Sequence, residues 1–383
     1  MKRSTHGILT THVGALAHPQ DLHDMLIARG NGKTVDLEAL DLAVRRAVTD
    51  IVKKQVENGV TVVNDGEESK INYSTYVRDR LNGFGGAEIS RTPTRNHEQK
   101  EFPEYFANRG PRNVNRARLA CVGPLSWSDF PAVEKDISNL KAATKGVKVE
   151  DVFMTALSPG CITNNQPNEY YPSREAYLHA LGDVMKREYI AIDKAGFTLQ
   201  MDTPELALSR DNHYSELSLE EFRKLMGLHV DALNYSLADL PADNMRMHIC
   251  WGRPEGPKTS DVPLRDIVDL ILRCKPVGIS IVAANGRHEF EWKVWKDVKI
   301  PEGRVLIPGV IDNTTNIVEH PETVAERIVR YAGVVGRENV IGSTDCGFGN
   351  QPKGGDVDPT VAWAKLRSMG EGAALATKEL WRK

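Results

Sequence analysis

The stretch REAYLHALGDVMKREYIAIDKAGFTLQMD, residues 174–202, decides the architecture. Residues 174–195 carry a helical pattern, and Gly196 stands where a left-handed residue closes a helix. Residues 197–201 then make a strand-length apolar run, and Asp202 follows it. The same unit continues toward the C-terminus. Strands are expected at residues 245–250, 278–283, 305–311 and 339–343, with helices at 217–237, 264–274, 321–334 and 359–377. Pro321 starts one of these helices and Gly336 lies past its end. Toward the N-terminus, strand candidates lie at residues 8–13, 60–63, 119–122 and 153–157. A helix at 37–58 separates the first two, with Leu40, Val44, Ala47, Ile51 and Val52 at helical spacing and Gly59 at its end.

Strands that alternate with helices imply parallel pairing through crossover connections. The expected fold is α/β, a (β/α)8 TIM barrel forming one catalytic domain over residues 1–383. Residues 73–115 are rich in Arg, Asn, Gly and Pro and read as a loop or hairpin insertion after the second strand. The strand candidate at 119–122 lies against that excursion and is one more than the barrel needs. An open doubly wound sheet is the alternative. No G-x-G-x-x-G opens a helix after the first strand, which counts against a dinucleotide-binding sheet.

Composition narrows the function classes. The 383 residues are 40% hydrophobic and 26% charged, with a formal net charge of −3. No basic field points to nucleic acid or to an anionic membrane. The apolar runs fall far short of the roughly 20 residues a membrane helix needs. The opening MKRSTHGILTTHVG has no apolar core of a signal peptide, so a cytoplasmic protein is expected. Five cysteines, an odd and sparse set, argue against a disulfide framework and for a reducing compartment. The sequence leaves a homo-oligomer open.

In a (β/α)8 barrel the active site is built at the C-terminal strand ends. Those ends carry His12, Asp65, Glu67, Asp202, His248, Cys250, Asn285, Asp312, Asp345 and Cys346. Turn preference alone accounts for Asp65, Asn285 and Asp312 as well as function does. It does not account for a His and a Cys two apart with a second Cys at a later strand end. In a strand, residues i and i+2 face the same way, about 6.5 Å apart. An imidazole and a thiolate at that spacing can share one tetrahedral metal, and Cys346 makes a third ligand. Three ligands and an open position are the pattern of a catalytic zinc, and imidazole with two thiolates selects zinc over magnesium or calcium. Such a centre suits a substrate thiol, which the metal deprotonates to the reactive thiolate.

Six motifs extend the reading: Thr10-Thr11-His12-Val13-Gly14, Asp65-Gly66-Glu67, Gln200-Met201-Asp202-Thr203-Pro204, Met247-His248-Ile249-Cys250-Trp251-Gly252, Pro308-Gly309-Val310-Ile311-Asp312 and Asp345-Cys346-Gly347. In this order they resemble the C-terminal catalytic barrel of cobalamin-independent methionine synthase, and more closely its stand-alone single-barrel relatives, which include the epoxyalkane:coenzyme M transferases. The resemblance implies a zinc-dependent methyl- or alkyltransferase acting on a small thiol and an alkyl donor. It implies zinc ligands at His248, Cys250 and Cys346, acceptor-holding carboxylates at Glu67 and Asp202, and acceptor contacts from the backbone at Val13 and Gly14. Asn285 is a further substrate-binding candidate, and His12 or Asp312 would manage protons. From the residues alone, Glu67 reads equally as a loop acid, Asp202 as a helix N-cap and His12 as a core histidine.

The sequence departs from that family's pattern at several places. Val282 stands where the synthase has a glutamate as fourth zinc ligand, with Glu289 and Glu291 further on. Ala15 replaces an acceptor-binding serine, and Asn313-Thr314-Thr315 occupies the place of a proton-donating histidine. No tryptophan platform for a folate ring follows Ser158-Pro159-Gly160. These departures open two alternatives. One is thiol alkylation with an epoxide or another non-folate donor. The other is a metal-free barrel lyase or decarboxylase, with His12, Asp65, Asp202, Arg287 and the loop residues Arg91, Arg95, Arg109 and Arg112 around an acidic substrate.

Overall fold

The computed structural model describes residues 1–89, 96–108, 118–252, 255–353 and 355–382. The helix that anchored the reading spans Arg174–Lys194, starting at Ser173, whose hydroxyl accepts from Ala176 N. It turns Tyr177, Leu178, Leu181, Met185, Tyr189 and Ile192 into the core. That apolar face, recurring every three to four residues, is what holds the helix against the sheet.

The strands are β1 (Leu9–Thr10), β2 (Val62–Val63), β3 (Leu81–Ile89), β4 (Arg118–Trp127), β5 (Asp151–Leu157), β6 (Thr198–Asp202), β7 (Met245–Ile249), β8 (Gly278–Ile281), β9 (Val305–Ile311) and β10 (Ile341–Thr344). Eight of them form one sheet in the order β1-β10-β9-β8-β7-β6-β5-β2. Every pairing in it is parallel. The seam between β1 and β2 is drawn together by threonines. Thr61 N donates to Thr10 O at 3.1 Å, and Thr11 Oγ1 donates to Val62 O at 3.0 Å. The result is a nearly closed (β/α)8 barrel, as expected. Leu9, Val62, Phe153, Val305, Ile307 and Ile341 pack together inside it.

The surplus strand candidate lies within β4. It pairs antiparallel with β3 as a separate two-stranded sheet, with Leu81 opposite Trp127. The excursion is therefore a hairpin with the short helices Asn96–Glu101 and Pro103–Asn108 between its strands. These helices dock on the loop after β7. Thr259 Oγ1 donates to Glu101 at 2.8 Å, and Tyr105 donates to Glu255 O at 3.2 Å. Arg91, Arg95, Arg109 and Arg112 lie outside the described residues.

Some elements differ from expectation. The helix expected at 264–274 is a 3-10 turn, Leu264–Asp266, followed by a short helix, Val268–Arg273. Pro263 ahead of the turn and the break at Ile267 interrupt the continuous ladder. Helices Gln20–Gly30, Pro131–Thr144 and Pro159–Asn165 have no counterpart in the sequence reading. Among the described residues no helix is long and apolar enough to cross a membrane.

Register positions the site. Asp202 on β6 pairs with His248 on β7, and His248 pairs with Ser280 on β8. Three polar residues from adjacent strands thus stand at one height, at the C-terminal mouth.

Candidate metal centre

β7 and the residue after it carry the first two candidate ligands. His248 is within the strand, and Cys250 is the first residue past its end. The backbone beyond Cys250 is folded back on itself. Gly252, at φ 91°, aims its N–H at Cys250 Sγ over 3.2 Å. The buried Lys258 donates to Trp251 O at 3.2 Å and to Gly252 O at 2.7 Å. Trp251 Nε1 in turn donates to Val262 O at 2.7 Å. Residues 251–252 and 258–262 are thereby pinned around the cysteine.

Cys346 reaches the same point from the end of β10, where its neighbour Asp345 sets its place. Asp345 Oδ1 accepts from Ala283 N and Ala284 N at 2.7 and 2.8 Å, and Oδ2 accepts from Asn285 N at 2.7 Å. A Cβ on Gly309 would sit 2.7 Å from Asp345 Cα, so only glycine lets β9 and β10 approach this closely. Burial pushes the Asp345 carboxyl up to about 7 in spite of its three amide donors.

The ligand atoms of His248, Cys250 and Cys346 all lie within 4.8 Å of one another. The two sulfurs are 3.3 Å apart. That is far beyond a disulfide bond of about 2.05 Å and somewhat inside the ~3.8 Å that two tetrahedral zinc–sulfur bonds span. Hydrogen bonding with Cys346 holds the Cys250 thiol well below its ordinary range, and His248 adds to this against the opposing effect of burial. His248 Nδ1 is 3.1 Å from Ser280 Oγ, whereas Nε2 is buried without a hydrogen-bond partner. A buried, unpaired nitrogen costs free energy unless something occupies it. With Nδ1–H donating to Ser280, Nε2 presents a lone pair toward the sulfurs, which is how a histidine meets a metal. The donor set therefore fits a tetrahedral soft-metal ion with one position left for a substrate.

Two carboxylates flank this centre. Gly66 and Glu67 take consecutive left-handed conformations, φ 67° and 60°, steadied by Glu67 N donating to Asp65 Oδ1 at 3.0 Å. Such backbone at a non-glycine residue stores about 1–3 kcal/mol. It turns Glu67 inward, where Oε1 accepts from Thr155 Oγ1 at 3.0 Å and Oε2 is buried and unpaired. Gly14 lies against it, since a Cβ there would be 2.7 Å from Glu67 Oε1. Asp202 is buried and accepts from Gln200 Nε2 at 2.7 Å. Burial raises the pKa of Glu67, and burial together with the Glu67 charge raises that of Asp202 well above the carboxylate range.

The remaining sequence candidates have other partners. His12 Nε2 is 2.8 Å from Gln55 Oε1, which also accepts from Asn64 N, so Nε2 carries the proton. Burial lowers the pKa of His12 to about 4, and its Nδ1 is buried and unpaired. Asp312 accepts from Thr314 N and Oγ1 at 2.9 and 2.8 Å in a local turn. Asn285 donates to Asp345 from its backbone and to Thr314 Oγ1 at 3.3 Å from its side chain. Val282 is buried. Glu291 is engaged by Leu264 N and His288, and Glu289 by Arg327, so neither replaces the missing carboxylate.

Ser280, Lys258 and Tyr73 are not among the residues that sequence pattern alone marks as candidates. Burial pushes the Tyr73 hydroxyl well up, and charge on Cys161, Cys250, Cys346 and Asp202 adds to it. Only Ser280 had a legible signal, standing on the strand after His-x-Cys at the alternation that faces inward.

No family model matches the chain. An uncharacterized protein of Bacillus subtilis (strain 168), YxjH, is 24% identical over 385 residues, covering 97% of this chain and 94% of that protein. A methionine synthase of Thermococcus kodakarensis is 24% identical over 374 residues, with 97% and 94% covered. Among solved structures, a B12-independent methionine synthase from Shewanella sp. W3-18-1 in complex with selenomethionine superposes with a TM-score of 0.73 at 18% identity, over 98% of this chain and 99% of that one. A putative vitamin-B12 independent methionine synthase from Listeria monocytogenes gives 0.66 at 19% identity over the same shares. These superpositions are a likeness of fold.

Proposed function

We propose that this chain is a zinc-dependent methyl- or alkyltransferase to a small thiol. The observation that carries the reading is the unpaired, buried His248 Nε2 set beside two sulfurs 3.3 Å apart. The similarity to proteins named methionine synthase over 97% of the chain supports it and favours homocysteine as the acceptor.

Bound by His248, Cys250 and Cys346, zinc supplies a Lewis acid that lowers the pKa of a substrate thiol and makes it a nucleophile at neutral pH. The chain's own residues do the rest. Glu67 Oε2 and the Asp202 carboxylate receive the acceptor's ammonium, beside the buried Lys70, whose Nζ donates to Thr155 O and Oγ1 at 3.0 and 3.2 Å. The backbone at Val13 and Gly14 lies against Glu67 and meets the other end of an amino acid. Holding acceptor and donor in line removes much of the entropic barrier to a two-molecule displacement.

With Asn313 and Thr314 where a proton donor is expected, and with no folate platform, an epoxide or another non-folate alkyl group is the second reading. In the test, protein purified without chelator is analysed for zinc and offered homocysteine or coenzyme M with methyl-folate or an epoxide, products being read by mass. About one zinc per chain and an S-alkylated thiol are expected, and Cys250→Ala should lose both. Absence of zinc, with no thiol alkylation after zinc is added, sinks the proposal. Full activity in a Cys250→Ala/Cys346→Ala variant would favour the metal-free lyase instead.

A further inference from the structure

Beneath the candidate centre lies a charged group that the reaction just described does not use. Arg246 precedes His248 by two residues on β7, so it points into the barrel one layer below. It is 1% exposed. Its guanidinium lies 3.5 Å from the Phe153 ring centroid. It donates from Nη1 to Thr11 Oγ1 at 2.9 Å, from Nη2 to His12 O at 2.8 Å and from Nε to Gln200 Oε1 at 2.7 Å. All three acceptors are neutral. A cation buried without a directly paired carboxylate is costly, and stability alone gives little reason for it in a barrel core.

The contact with Gln200 has a consequence. Because Gln200 Oε1 accepts from Arg246, its amide nitrogen must face the other way. There Nε2 donates to Asp202 Oδ1 at 2.7 Å and to Val13 O at 2.5 Å. One guanidinium thus ties the end of β1 to the end of β6 and orients both walls of the acceptor pocket. The positive charge also favours the ionised Asp202 carboxylate, as does that of Lys70.

We propose that Arg246 and Gln200 are positioning residues for the thiol acceptor: the guanidinium fixes the Gln200 amide, and the amide fixes the Asp202 carboxylate and the Val13 carbonyl. The inference rests on the reading that this pocket holds an amino-acid thiol. Neither residue touches the reacting atoms, so the expected signature is in acceptor binding and not in the metal.

The experiment uses the zinc-loaded full chain and its Gln200→Glu, Gln200→Met and Arg246→Lys variants. Zinc content is measured, together with L-homocysteine binding by calorimetry and KM for acceptor and donor separately. Gln200→Glu keeps shape but sets a carboxylate against Asp202. It should weaken homocysteine binding tenfold or more, with zinc near one per chain and donor KM within about twofold. Gln200→Met removes the amide without adding a charge and, with its folding checked by circular dichroism, should show the same acceptor-specific loss. Arg246→Lys keeps the charge but not the fork and should recover part of it. Unchanged homocysteine binding in the folded Gln200 variants overturns the inference and leaves the proposed function standing. Equal losses of zinc, donor and acceptor binding also overturn it, as a merely structural role. Wild-type protein that holds zinc yet binds no homocysteine overturns the inference and removes homocysteine as the acceptor, while the zinc–thiol reading stands or falls on its own test.

Discussion

At the scale of the residue, what distinguishes the centre is what each polar atom lacks. His248 has one nitrogen on Ser280 and the other free. Partners of this kind fix the tautomer, and losing one typically weakens metal binding about 10–100-fold. Ser280→Ala should therefore lower zinc affinity by that factor, and Ser280→Thr should restore it, as read by competition with a chelating dye. Unchanged affinity in the alanine variant would remove Ser280 from the centre. Glu67 combines strained backbone, burial and an unpaired oxygen. Its carboxyl is raised above its unfolded value, chiefly by burial. A group raised in this way contributes stability below its unfolded pKa of about 4.3 and loses it as pH climbs through the folded value. Glu67→Gln, neutral throughout, should hence be more stable than wild type at pH 8, with the gain vanishing at low pH, while acceptor KM rises tenfold or more. Chemical denaturation across pH, alongside kinetics, tests this; a variant less stable at pH 8 contradicts it.

At the scale of the element, the loop after β7 is held by buried charge. His288 Nε2 lies 3.1 Å from Asp261 and Nδ1 2.9 Å from Glu291, and its ring packs on Trp251 next to Cys250. Burial works against the charged ring, but the hydrogen bonds to Asp261 and Glu291 outweigh it and raise the pKa. The clamp is then fully present below the unfolded histidine value of about 6.5 and fades as pH rises through the folded one. The stability lost in His288→Asn should be largest below pH 6.5 and shrink at higher pH. A difference that grows with pH would show that the ring is neutral in the fold. The sequence marked the strand carrying His248 and Cys250, but not this clamp. His288 and Asp261 are 27 residues apart, and nothing in their spacing says that two loops will meet.

At the scale of the whole molecule, the centre joins β7 to β10, elements 96 residues apart at Cys250 and Cys346. A ligand that binds only the folded state stabilises it by RT ln(1 + [L]/Kd), about 4 kcal/mol at a thousandfold excess over Kd. Chelator-treated protein should accordingly melt several degrees lower, and readded zinc should restore the transition in calorimetry. A melting temperature indifferent to zinc would detach the metal from the fold. The alternation of strand and helix, and the polar residues at strand ends, were legible because periodicity is local and each run of residues carries it. From that alone came the barrel, the surplus strand and the trio His248, Cys250 and Cys346 as candidates. Tertiary structure alone decided that the two sulfurs stand 3.3 Å apart, that Ser280 takes His248 Nδ1, that Glu289 and Glu291 are committed elsewhere, and that a guanidinium lies beneath the pocket. The reason is physical. Facing direction along a strand follows from the chain's own geometry, whereas hydrogen-bond partners and burial depend on which distant segments the closed barrel brings together.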